Sequence, residues 1–306
     1  MVSLTPAKIA EINEFVEVES YANYYRSAPL EFTKLSRLEV RRLGSVWLTM
    51  IPRTDSASHN LILGLGLDEP ATESRLDDAI AIFRQSGCQN YRTQVSPIVQ
   101  PAQYPEWLAA RGFKPGRNWA KMYRGNEPMA VLATDLRVER IGREQADQFA
   151  DVVLPVWGIE PVYRPLVKGI VGKPGWYHYL AYDGKKPVAA TAMFISGEVA
   201  WLGWASTLLT HRNRGGQSAL GSRMIVDGLA LGCNWFSAET EEETPEHPNP
   251  SYHNMLRFGF KLAYFRRNYS HRSPASPAKK IRRAFFMAVY GLRFESQRRV
   301  HSRKMS

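Results

Sequence analysis

The run Trp201-Leu202-Gly203-Trp204-Ala205-Ser206-Thr207-Leu208-Leu209-Thr210-His211-Arg212-Asn213-Arg214-Gly215-Gly216-Gln217-Ser218-Ala219-Leu220 decides the reading of this chain. A β-forming segment passes directly into a loop of arginine and glycine, and a helix is expected to follow over residues 217–232. Gly215 and Gly216 let the backbone approach a ligand closely and leave amide N–H groups at the positive end of that helix, which suits a pyrophosphate. The loop lacks the Gly-Lys-Ser/Thr ending of a Walker loop. It is not a hydrolase nucleophile elbow either, because Leu220 stands where G-x-S-x-G requires its second glycine.

Outward from this run the pattern is regular. Before it, a strand is expected over residues 136–141, a helix over 144–153, and strands over 176–182, 188–195 and 199–208, with Asp183-Gly184 and Ser196-Gly197 as hairpin turns. After it come a strand over 234–240, a helix over 251–258 and a strand over 261–269. The first half opens with a helix over residues 6–25, where Ile9, Ile12, Phe15 and Val16 form an apolar stripe. Strand-like sequence over 38–51, a short buried run over 60–67, a helix ending near 85, a strand over 90–95, a helix over 104–110 and a strand over 119–123 complete it. Gly125-Asn126-Glu127-Pro128 interrupts the pattern and marks a linker. Leu108-Ala109-Ala110-Arg111-Gly112-Phe113-Lys114 and Met255-Leu256-Arg257-Phe258-Gly259-Phe260-Lys261 both read as helix, Gly-Phe, strand, an internal repeat. The division expected is a first domain over residues 1–125, a linker over 126–134, a second domain over 135–270 and a basic tail over 271–306.

A chain of 306 residues is long enough for two domains with separate cores. No apolar stretch approaches the length of a membrane span and the start lacks the look of a signal peptide, so a cytoplasmic protein is expected. Cys88 and Cys233, the only two cysteines, read as small core residues, and the scattered histidines offer no metal-ligand spacing. The net charge of +11 is local. Residues 266–306 hold twelve Lys or Arg against Glu295, while the rest of the chain is balanced at 28 basic and 28 acidic side chains. Lys279-Lys280-Ile281-Arg282-Arg283 and the apolar run after it suggest an amphipathic helix for an anionic membrane surface, a nucleic-acid patch, or an element packing on the protein.

Arg212-Asn213-Arg214-Gly215-Gly216-Gln217 resembles the signature of the GNAT superfamily of acyl-CoA N-acyltransferases, Arg/Gln-x-x-Gly-x-Gly/Ala between the fourth strand and the next helix. Arg212 and Gly215 fit, and Gln217 stands where the family has Gly or Ala. Asn249-Pro250-Ser251-Tyr252-His253-Asn254, followed by Arg257-Phe258-Gly259-Phe260, is similar to the family's segment after strand five. The first half resembles the same fold in element order and in Arg111-Gly112-Phe113, but its loop reads Gly64-Leu65-Gly66-Leu67-Asp68-Glu69, without arginine. The fold expected is therefore α/β with a mixed sheet: two tandem GNAT-like domains, each a twisted, mostly antiparallel sheet flanked by helices, the first degenerate in CoA binding or else an unrelated α/β domain.

The resemblance implies acetyl-CoA as co-substrate, lying between strands four and five. Pantetheine would pair with the backbone around Trp204, Ser206 and Leu208. The loop amides of Arg212, Asn213, Arg214, Gly215, Gly216, Gln217 and Ser218 would hold the pyrophosphate, with Asn249, Ser251 and Asn254 flanking the cofactor. Direct transfer to a primary amine of a small molecule or protein needs a base and an acid. Glu239 is the candidate base, against a plain exposed strand carboxylate. The family's tyrosine acid falls on Met255 here, so Tyr252 is the substitute candidate, against a packing aromatic. Trp201 and Trp204 are pocket or core residues. The run Glu239-Thr240-Glu241-Glu242-Glu243 either attracts a cationic amine or is a solvated loop. The rival functions are an acyl-CoA sensor without turnover and a structural pseudoenzyme.

Overall fold

The computed structural model describes residues 4–273, 281 and 283–288. Most of the basic tail, including Lys279, Lys280 and Arg282, lies outside the described residues. The chain forms two compact units that differ from the sequence halves: one comprises Met1–Arg26, Leu30–Tyr123 and Ser237–Arg283, the other Ser27–Pro29, Arg124–Phe236 and Ala284–Ser306.

The first unit contains α1 (Pro6–Arg26), α2 (Leu30–Ser36), β1 (Glu39–Leu43), β2 (Val46–Met50), β3 (Leu61–Leu63), α3 (Glu73–Gln85), β4 (Tyr91–Val95), α4 (Tyr104–Ala110) and β5 (Lys114–Arg124). The second contains β6 (Arg137–Ile141), α5 (Ala146–Trp157), α6 (Arg164–Gly169), β7 (Trp176–Asp183), β8 (Lys186–Ser196), β9 (Val199–Thr207) and α7 (Gly216–Ala230). From Ser237 onward the chain returns to the first unit with β10 (Trp235–Glu241), α8 (Pro250–Arg257) and β11 (Lys261–His271).

The second unit is an antiparallel meander in the order β9-β8-β7-β6, its strands joined by tight turns at Gly184 and Gly197, which take left-handed φ of 58° and 55°. Helices α5 and α7 pack on β8 and β9. Phe149, Val153, Leu180, Ala190, Leu220 and Ile225 are all fully buried there. Segment 126–134 is no free linker: the Leu132 N–H donates to Ser222 Oγ at 2.8 Å and Thr134 Oγ1 donates to the Arg214 carbonyl at 2.7 Å.

The sheet of the first unit runs β1-β2-β3-β4-β11-β5-β10. Its β3 and β4 are parallel, and β11 lies antiparallel to both β4 and β5. The repeat noted in the sequence becomes a structural one. After α4 and α8 alike, a left-handed glycine, Gly112 or Gly259, reverses the chain, and the N–H of Phe113 or Phe260 bonds back to Leu108 or Met255 at 3.0 Å. The two strands so launched, β5 and β11, are sheet neighbours.

One expectation holds only in part in α1. Of the stripe Ile9, Ile12, Phe15 and Val16, Val16 is buried but the other three are half-buried to exposed, and the helix also buries Asn13, Glu14, Glu17 and Ser20. The cause lies on β5 and β11, which supply Lys121 and Arg266 to that face.

Candidate active site

In the second unit the site is built on an irregular strand. Trp204 and Ala205 of β9 stand opposite Thr191 alone, a β-bulge between the pairs Ala190–Ser206 and Ala192–Gly203. Trp204 adopts φ 62°, a strained conformation for a bulky aromatic residue. Gln217 repairs the opening: its Nε2 donates to the carbonyls of Ser206 at 2.7 Å and Ala190 at 3.2 Å. Gln217 thus braces the bulge with its side chain, which explains how the loop tolerates a large residue where the signature has a small one. Trp157, at the end of α5, donates from Nε1 to Ser206 Oγ at 2.8 Å, and Ser206 Oγ donates to the Trp204 carbonyl at 3.0 Å. The indoles of Trp157 and Trp204 meet edge to face at 6.4 Å.

The chain leaves β9 through a short 3₁₀ turn over Leu209–His211 and enters α7 from Gly215, whose φ is 73°. A Cβ at Gly215 would lie 3.1 Å from the Ala133 carbonyl oxygen, and one at Gly216 would lie 3.0 Å from Leu136 Cδ1. Both glycines are therefore needed for the close passage of segment 133–136. No side chain caps α7 and no acid occupies its first turn. The N–H groups of Gly216, Gln217 and Ser218 have no acceptor among the described residues, which leaves the positive helix end open to an anion.

The loop's two arginines divide. Arg214 is clamped by Asp135 and, at 2.7 Å, by Asp183, whose carboxylate also lies 3.3 Å from His211 Nε2. The hydrogen bonds from Arg214 hold both aspartates below the usual carboxylate range. The Arg214 side chain thus fixes the loop. Arg212 is exposed, with no side-chain partner among the described residues, and Asn213 is exposed at φ 63°. The Leu208 N–H donates to the Val188 carbonyl at 2.9 Å and its carbonyl accepts from the His211 N–H at 2.8 Å. Trp201 is core, packed edge to face against Trp176 at 6.2 Å.

In the first unit Glu239 is neither exposed nor alone; its side chain is 6% accessible. Its Oε2 lies 2.6 Å from Arg266 and 3.4 Å from Lys121, and its Oε1 accepts from the Tyr21 hydroxyl at 3.4 Å. Arg266 also meets Glu17 at 2.6 Å and Glu14 at 3.1 Å, Lys121 pairs with Glu17, and Tyr264 donates to Glu14 at 2.6 Å. Burial and then the charge of Glu17 raise the Glu239 carboxyl above its ordinary value, against the pull of Lys121 and Arg266. Glu17 goes the other way: burial pushes it up, but Arg266 and Lys121 together prevail and hold it at about 2. Two neighbouring carboxyls are thus driven apart.

The segment after β10 is ordered by its own side chains. Asn249 caps α8, its Oδ1 accepting from the Ser251 N–H at 3.0 Å, while Nδ2 donates to Thr240 Oγ1 and the Glu241 carbonyl, each at 2.7 Å. Asn249 and Ser251 therefore serve the helix start, and Asn254 Oδ1 accepts from the Arg257 guanidinium. No residue of α8 is fully buried; Tyr252 is half-buried. The acidic run is paired: Glu241 with Arg117 at 2.9 Å, Glu242 accepting from Asn118 at 2.8 Å, and Glu243 with His253 at 2.9 Å. Arg212 to Ser218, Trp204, Ser206 and Leu208 belong to the second unit, and Glu239, Asn249, Ser251, Tyr252 and Asn254 to the first.

Sequence reasoning missed Trp157, Tyr21, Glu17, Lys121 and Arg266. Only the acidic residues inside an apolar helix pattern in α1 could have signalled the buried cluster, since its members come from segments as much as 252 residues apart. Among the described residues no group of three or more His, Cys, Asp or Glu is placed to hold a metal, and no helix is long and apolar enough to cross a membrane.

No protein-family profile and no curated protein matches the sequence. Solved structures do match the fold. A GCN5-related N-acetyltransferase from Kribbella flavida superposes with a TM-score of 0.57 at 12% identity, covering 83% of this chain and 96% of that one. A tandem GNAT protein from the clavulanic acid biosynthesis pathway gives 0.56 at 12% identity over 89% and 98% of the two chains. A putative GNAT-family acetyltransferase from Novosphingobium aromaticivorans gives 0.51 at 12% over 82% and 99%. The chain is thus a mixed α/β protein with the GNAT fold, matching a tandem GNAT protein over most of its length.

Proposed function

We propose that this chain is an acyl-CoA-dependent N-acyltransferase that moves an acetyl group from acetyl-CoA to a primary amine, on a small molecule or a protein, within one ternary complex. The observation that carries the reading is the start of α7: a left-handed Gly215, no capping side chain and three N–H groups without acceptors, directly after a bulged strand. A pyrophosphate fits this donor set, with Arg212 free to add a charge-assisted contact. The bulge at Trp204 and Ala205 offers irregular strand backbone for pantetheine.

Acetyl-CoA supplies the activated thioester. The amine nitrogen attacks the carbonyl carbon, the C–N bond forms and the C–S bond breaks; the nitrogen loses one proton and the thiolate gains one. Glu239 is the proton-handling carboxyl in this scheme, and Tyr252 the candidate acid on α8. Met255 at the family's tyrosine position favours a second reading, an acyl-CoA sensor without turnover. A thiol-release assay over small amines and lysine peptides tests the proposal: acceptor-dependent release of CoA, lost in Glu239→Gln and reduced in Tyr252→Phe, is expected. Binding of acetyl-CoA with no release over any acceptor would establish the sensor instead.

A further inference from the structure

The cluster on α1 does not balance its charges. Three carboxyls, Glu14, Glu17 and Glu239, face two cations, Lys121 and Arg266, and every one of these side chains is at most 6% accessible. Tyr21 and Tyr264 add hydroxyls, and Arg92 of β4 adds a more distant positive influence on Tyr21. With all five groups ionised, the cluster would hold one more negative than positive charge, which burial makes strongly unfavourable. One proton restores neutrality.

The geometry says which carboxyl holds it. Glu17 is paired with both cations, and Glu14 with Arg266 and the Tyr264 hydroxyl. Glu239 keeps one oxygen, Oε1, clear of either cation, and that oxygen faces the Tyr21 hydroxyl. The interior there also contains unsatisfied polar atoms: both amide atoms of Asn13, on the same face of α1 as Glu17, and Arg266 Nε have no hydrogen-bond partner. Such orphans mark a place for ordered water, the usual companion of a buried proton store.

We infer that Glu239 is a carboxylic acid at neutral pH and stores the one proton of this cluster, with the hydroxyl of Tyr21, half-buried on α1, as its hydrogen-bond partner.

The proton itself is tested without activity, in the full chain. Gln is an isostere of a protonated Glu, so Glu239→Gln is expected to leave the urea midpoint unchanged, whereas Glu17→Gln, which removes an ionised partner of Arg266 and Lys121, lowers it. Infrared spectra of chain carrying ¹³C-labelled glutamate should show a protonated carboxyl band at neutral pH that disappears in Glu239→Gln and shifts in Tyr21→Phe. No such band, or equal destabilisation by the two Gln variants, overturns the inference.

Discussion

Two strand-to-helix turns in this molecule use glycine to opposite ends. Between β3 and α3, Gly64 and Gly66 take φ of 83° and 82°, and the turn folds inward: a Cβ at Gly66 would lie 2.8 Å from Val99 Cγ1 and 2.9 Å from the Gln100 carbonyl oxygen, and Gln100 bonds both Gly66 and Ala71. The helix that follows closes its own end, with Thr72 Oγ1 accepting from the Arg75 N–H at 3.1 Å and Glu73 in the first turn. Between β9 and α7 the glycines admit segment 133–136, but nothing caps the helix and its first N–H groups stay open. Glycine content therefore does not distinguish a binding turn from a structural one. The treatment of the helix N-terminus does, because a capped and acidic end repels an anion that an open one attracts. One cofactor site per chain is what the proposed function predicts from this contrast.

The largest expected effect strikes the first unit, whose α1 is held by buried charge. Arg266→Leu strands Glu14 and Glu17 without their shared cation and should cost about 3–5 kcal/mol in urea unfolding. The same cluster sets an acid limit. Glu17 is held at about 2, below its unfolded value, so the stability it contributes is complete above about pH 4.5 and disappears as the pH falls towards 2, readable by circular dichroism. Next, the two glycines can be set against each other. Gly66→Ala meets both backbone strain and a clash, and should lower stability by about 2–4 kcal/mol without altering acetyl-CoA affinity. Gly215→Ala should cost about 1–2 kcal/mol and weaken acetyl-CoA binding in calorimetry. Arg212→Ala should reduce that affinity about tenfold and leave the melting temperature alone. Smallest is Thr72→Ala, about 1 kcal/mol of stability from a lost cap, with unchanged ligand binding. Ligand affinity that responds to Thr72 or Gly66 but not to Arg212 or Gly215 would break the contrast.

Local elements were largely legible because periodicity and turn residues are local signals. Helix α4 falls on the expected residues 104–110, and β6 to β9, α7, β10, α8 and β11 lie within a few residues of the expected bounds. The run 38–51 split into β1 and β2 because Gly44 turns the chain at φ 62°. Helices α2 and α6 were missed, each a single short element of 6 or 7 residues with too few turns to show a period. What sequence could not express was distance. The return of β11 between β4 and β5 joins residues such as Asn268 and Gln94, and the partners of Glu239 come from three other segments. The loop's arginines showed the same limit: sequence named both, but only the positions of Asp135 and Asp183 reveal that Arg214 is a brace and Arg212 is free.

Calorimetric titration of the full chain with acetyl-CoA tests the contrast between the two turns most directly. One site per chain, much weakened in Arg212→Ala and untouched in Thr72→Ala, is the result predicted; two sites, or no heat at millimolar ligand, would contradict it.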